Sequence, residues 1–115
     1  MSEQKTLHLI LKNQWFDMIA SGVKKQEYRA ITDHWISRLM HFDWVTIMGI
    51  SYFKKWDEFK NFDTVTFQHG YGTNAPRVVL EFKGIEIGKG KTEWGAPKED
   101  VFIIKLGNII TSPKK

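Results

Sequence analysis

The sequence predicts a single α+β domain: a small, curled sheet of mostly antiparallel strands, closing towards a barrel, with two or three helices on its flanks. Three observations predict it. The 115 residues are enough for one hydrophobic core and too few for two ordinary ones. Apolar residues alternate at strand spacing in several segments and recur at helical spacing only in short ones. In the last third of the chain the alternation changes register at Gly84, the kind of bulge or bend by which a small sheet curls.

The elements follow in chain order. Leu7, Leu9 and Leu11 alternate with His8 and Ile10 and read as a first strand with both faces mostly covered. Asn13 suits an N-cap, Asp17 the first turn and Gly22 the stop of a short helix whose apolar stripe is Trp15, Met18 and Ile19. Alternation returns from Lys25 to Arg29, placing Lys25, Glu27 and Arg29 on one strand face and Gln26 and Tyr28 on the other. Thr32 or Asp33 caps a second helix with Trp35, Ile36 and Leu39 inward. Trp44 to Met48 reads as a strand. After Ser51, Tyr52, Phe53, Trp56 and Phe59 at spacings of three and four favour a third helix. Asp63 to Tyr71 is a strand leading into the glycine-bearing turn Gly70 to Pro76. Val78 to Ile87 is the strand that shifts register at Gly84, Val101 to Leu106 is one more buried strand, and Ser112 to Lys115 is a frayed tail.

Composition narrows the class. With 42% hydrophobic and 14% aromatic residues the chain can bury a core, so wholesale disorder is excluded. No apolar run is long enough to span a membrane, and Met1 to Thr6 carries charge where a signal peptide needs an apolar stretch. A cytoplasmic protein is expected. The absence of Cys removes disulfides and thiolate ligands. His8, His34, His41 and His69 show no paired ligand spacing, and neither a metal nor a cofactor is expected. The net charge of +4 and sequence pI near 9.3 make an anion-attracting surface if the cations gather on one face.

The chemistry-bearing residues cluster at the end of the first helix. Lys24 is a compact cation suited to a phosphate or carbonyl, Arg29 is a planar fork that also stacks on a base, and the Glu27 carboxylate accepts from an exocyclic amine. The bland alternative is an ordinary strand-face ion pair of Glu27 and Arg29, with Lys24 and Lys25 solvated. Tyr71 and Asn74, in a glycine-rich loop, are candidates for a far wall; the alternative is a plain hairpin connection with Tyr71 plugging one end of the barrel. Lys89 to Trp94 reads either as a basic loop that stacks on single-stranded nucleic acid or as a solvated turn with Trp94 capping the core. Gly90-Lys91-Thr92 fails as a phosphate loop, because Ile85 stands where a glycine is needed and Gly95 and Pro97 break the helix that should follow.

The segment Gly22-Val-Lys-Lys-Gln-Glu-Tyr-Arg29 resembles the Gly-x-Lys-x-x-Glu-x-Arg signature of the ASCH family, matched at Gly22, Lys24, Glu27 and Arg29. The resemblance covers most of the chain and implies a PUA-like pseudo-barrel, with residues 41–62 as an insertion. It also implies RNA binding, and a branch of the family hydrolyses the acetyl amide of acetylated cytidine. The expected function is therefore a nucleic-acid or nucleotide-binding module, RNA above all, with a basic cleft made by Gly22, Lys24, Glu27 and Arg29 and walled by Tyr71 and Asn74. One alternative is a small amidohydrolase with Lys24 as base and Glu27 assisting. Against it, Glu27 stands where the deacetylating branch carries a threonine nucleophile, and Thr32 and Thr73 are not matched replacements. The other alternative is a protein-interaction module that uses the aromatic residues of 41–62.

Overall fold

The computed structural model describes the backbone of residues 5–47 and 50–111 and, outside 41–58, their side chains. The alternating leucines form β1 (Thr6–Leu11), with Leu7, Leu9 and Leu11 all buried. Helix α1 (Asn13–Ala20) follows at once; its N-cap is Lys12 rather than Asn13, and Asp17 consequently lies past the first turn. Phe16 and Ile19 are its buried face. Strand β2 (Gln26–Arg29) carries the motif. In α2 (Asp33–Leu39), Thr32 is the cap and its Oγ1 accepts the Trp35 N–H at 3.4 Å.

Where a third helix is expected after Ser51, the chain forms a strand. Strands β3 (Met40–Ile47) and β4 (Ile50–Phe59) pair antiparallel as a separate two-stranded sheet. The register slips between His41 and Asp43 and again between Asp43 and Trp44. Asp43 pairs with Lys55 and Trp44 with Phe53, so each slip puts an extra residue into β4. Positions two apart on a regular strand then become three apart, which reproduces the helical spacing of Phe53, Trp56 and Phe59. Aromatic content also favours a strand here. The base of the hairpin is anchored in the core: Met40 is buried, and the Phe59 ring meets Phe102 edge-on at 6.4 Å.

Strands β5 (Thr64–His69), β6 (Arg77–Gly88) and β7 (Val101–Thr111) complete a five-stranded sheet in the order β1-β5-β6-β7-β2. Only β1 and β5 run parallel. The sheet is mostly antiparallel and curled into a half-barrel flanked by α1 and α2, consistent with a small pseudo-barrel. Its bend includes Gly84, where β6 changes register against β7 and the backbone takes a φ of +120° that L side chains rarely adopt. Strand β7 is buried on both faces from Val101 to Ile104. Phe102 and Ile104 belong to the main core with Leu7, Phe67 and Val78, whereas Val101 and Ile103 join Tyr28 and Ala96 in a second cluster.

Curling brings the two edge strands, β1 and β2, towards one another without pairing them. Across this seam Arg29 Nη2 donates to the Ile10 carbonyl at 3.4 Å. No helix of the described residues is long and apolar enough to cross a membrane. Met1 to Gln4, Met48 and the tail Ser112 to Lys115 lie outside the described residues.

Candidate functional site

The site begins with how α1 ends. Gly22, at a φ of +85°, donates its N–H to Ile19 O at 3.1 Å, and the Lys24 N–H returns to Met18 O at 2.9 Å. This glycine-dependent stop turns the chain back under the helix. The Lys24 side chain is thereby buried, 2% exposed, with Nζ 4.7 Å from the Trp15 ring centroid and 5.6 Å from that of Tyr28. Its ion partner is Glu27 Oε1 at 2.8 Å.

Antiparallel pairing puts Glu27 opposite Ile104 and Arg29 opposite Phe102. Both partners are main-core residues, so the motif charges stand on the interior face of an edge strand. Arg29 Nη2 approaches Glu27 Oε2 at 3.1 Å, which leaves the buried carboxylate held by a different cation on each oxygen. The Arg29 guanidinium also lies 5.0 Å from the Trp35 ring centroid, and its Nε is buried without a hydrogen-bond partner. Burying charge costs several kcal/mol per ion, and well-packed apolar residues would serve the fold as well or better. Lys24, Glu27 and Arg29 thus form one chain of three charges, with Arg29 Nε as its unpartnered buried donor.

These charges open on a cleft of about 310 Å³ in the seam between β1 and β2. Ile10 and Leu11 from β1, Trp15 from α1, and Trp94 and Gly95 wall it, with Lys12 at the rim. Among its lining residues three cations, Lys12, Lys24 and Arg29, face one carboxylate. The wall segment is a single 3₁₀ turn (Thr92–Trp94) closed by Gly95, not the helix a phosphate loop would need. Tyr28 fixes it from the other face of β2: its hydroxyl donates to Gln26 Oε1 at 2.8 Å and accepts the Lys91 N–H at 3.0 Å. Burial, above all, pushes the Tyr28 phenol above its ordinary pKa, with smaller contributions from Glu27 and Glu93; the Lys91 N–H acts in the opposite sense.

The chain matches no protein-family model, no curated protein and no solved structure.

Lys24, Glu27 and Arg29 come together as expected, but the remaining candidates do not join them. Gly22 lies outside the cleft, on a second pocket of about 180 Å³ that shares Lys24 with it and also meets Lys25 and Asn108. Tyr71 is 88% exposed and borders neighbouring hollows, and Asn74 is exposed in the turn between β5 and β6, lining none of the described pockets. Trp94 packs on the second cluster, as its core-capping reading expects, and also lines the cleft, with Lys91 Nζ 4.3 Å from its ring centroid. Lys89 is drawn away to Asp100, at 3.3 Å. Trp15 and Lys12 were not singled out as site residues from sequence. Trp15 reads as part of a helical core stripe, and its one distinguishing signal is that a partly buried Trp also offers a face to a ligand.

Gly95 sets the width of the cleft. A Cβ there would stand 2.9 Å from Trp15 Cζ2, and the residue's φ is +94°. Gly95→Ala is expected to lose about 1–2 kcal/mol and to displace the Trp15 ring, read as a lower urea midpoint with an altered near-ultraviolet circular dichroism spectrum.

Proposed function

We propose that this chain is a nucleic-acid or nucleotide-binding module, and that its cleft receives an unpaired base of RNA. The observation that carries the reading is the buried Glu27 carboxylate, gripped by Lys24 and Arg29 at the floor of a cleft walled by Trp15 and Trp94. An oriented carboxylate accepts from an exocyclic amine, and the guanidinium beside it donates to a ring carbonyl or nitrogen. Indole rings supply stacking surface. The cleft volume of about 310 Å³ is at the small end for ligand pockets and suits one nucleoside rather than a large cofactor. Membership of the ASCH family is part of the same proposal, supported by the motif match and by the curled α+β half-barrel.

Titration with a short single-stranded RNA at low salt is expected to quench Trp fluorescence, with Trp15→Phe and Trp94→Phe each removing part of the signal. No quenching in the folded wild type, or full quenching in both variants, counts against the cleft. Trp94→Ala is expected to lower both RNA affinity and Tm, since the ring belongs to cleft and cluster alike.

Acetylated cytidine is not expected to be turned over. The hydroxyl among the cleft-lining residues is that of Tyr28, already engaged by Gln26 and Lys91, while Thr32 caps α2 and Thr73 is exposed in the turn. Glu27 occupies the nucleophile position and is bound by two cations. Acetate release that disappears in Lys24→Ala would contradict this and favour the amidohydrolase. The protein-interaction reading uses the aromatic residues of 41–62, of which Phe59 and Phe62 pack on the main core and those at 41–58 lie outside the described side chains.

A further inference from the structure

We propose that a groove adjoining the cleft holds the phosphate and base of the next nucleotide, so that the partner is a single-stranded RNA chain rather than a free nucleoside. The inference rests on the reading of the cleft above and deepens it. The groove, about 450 Å³, runs over β1 to α2 and shares Ile10 and Arg29 with the cleft, which makes the two concavities neighbours across one guanidinium. Its chemistry comes from Arg29, Arg38, His8, His34, Trp35 and Tyr71. No carboxylate is among its described lining residues.

Arg38 lies 5.1 Å from the Trp35 ring centroid, nearly matching Arg29 at 5.0 Å, and the His34 ring meets Trp35 edge-on at 4.8 Å. Trp35 thus organises two guanidinium groups beside the seam. Both reach free-edge carbonyls of β1, Arg38 at His8 O and Arg29 at Ile10 O, each at 3.4 Å. Protecting an unpaired strand edge explains those two long contacts. It explains neither the exposed His34 imidazole nor Tyr71, an 88% exposed aromatic at the groove margin, whereas the His8 ring is held by Gln68 Oε1 at 3.1 Å. A guanidinium fork with donors beyond the carbonyl contact is a phosphate receptor, and an exposed Tyr beside it is a stacking platform. Cleft and groove together repeat the pair of aromatic and cation, which matches the alternation of base and phosphate along a strand. A phosphopeptide would use the cations and leave Tyr71 idle.

The test uses a 5′-labelled RNA hexamer of mixed sequence, the four free ribonucleosides and a phosphoserine peptide, with the full chain and its Arg38→Gln and Tyr71→Ala variants. Wild type is expected to bind the hexamer more tightly than any nucleoside, by a margin that shrinks with salt. Arg38→Gln should weaken hexamer binding about three- to tenfold and reduce the salt slope by roughly 0.7; Tyr71→Ala, which removes no packed side chain, should weaken it about fivefold or more. Hexamer affinity unchanged in both folded variants, or nucleosides bound as tightly as the hexamer, overturns the groove and leaves the cleft standing. Competition by the phosphopeptide equal to that of the hexamer overturns the RNA assignment of the groove. Failure of wild type to bind either hexamer or nucleosides removes cleft and groove together.

Discussion

Glu27→Ala is expected to destabilise the fold by about 3–5 kcal/mol, the range for removing one partner of a buried ion pair. The loss comes from what remains. Lys24 is 2% exposed, and without Glu27 its described neighbours are the Trp15 and Tyr28 rings, too weak to replace a carboxylate. Arg29 keeps its contacts to Ile10 O and Trp35 and suffers less. A double variant, Lys24→Met with Glu27→Leu, is expected to recover most of the stability, because both desolvation penalties then vanish. Urea denaturation of the three proteins measures this. A double variant no more stable than Glu27→Ala would show that side-chain packing, not charge, is what the substitution removes.

The second large effect falls on binding. Arg29→Ala is expected to weaken single-stranded RNA by about 1–3 kcal/mol, or roughly 5- to 150-fold. Arg29 is the lining residue that joins the carboxylate, the seam and the groove. Arg29→Lys should restore little, since an ammonium cannot reproduce a planar fork. Lys24→Ala should act differently. A cation buried against Glu27 orients the carboxylate instead of meeting phosphate, so affinity should fall with little change in salt dependence. Anisotropy titrations at several salt concentrations separate these roles.

Much of the fold was legible in the sequence, and what was misread has identifiable causes. Alternating leucines made β1 plain, and Gly84 marked the bend because a register change needs a bulge. The β4 helix expectation failed because two slips in the β3–β4 ladder stretch strand spacing to helical spacing. At the site, alternation placed Lys25 with Glu27 and Arg29, whereas the structure uses Lys24. Strand β2 begins only at Gln26, and the period of two does not extend into the turn that Gly22 creates. Trp15 reads as core because a helix stripe cannot reveal that one of its rings also walls a cleft. Tyr71 and Asn74 share a glycine-rich loop and side chains able to stack or hydrogen-bond, which does not say where each points; the 70–76 turn carries both to the surface, one at the groove margin and the other away from it.

The most direct measurement is the binding constant of the folded chain for a single-stranded RNA against salt concentration. With Lys12, Arg29 and Arg38 around the seam meeting about three phosphates, the logarithm of the constant should fall against the logarithm of salt with a slope near −2, at roughly −0.7 per contact for single strands. Arg38→Gln and Arg29→Ala should each flatten that slope. A folded protein with no RNA affinity at low ionic strength would contradict the RNA reading of the cleft.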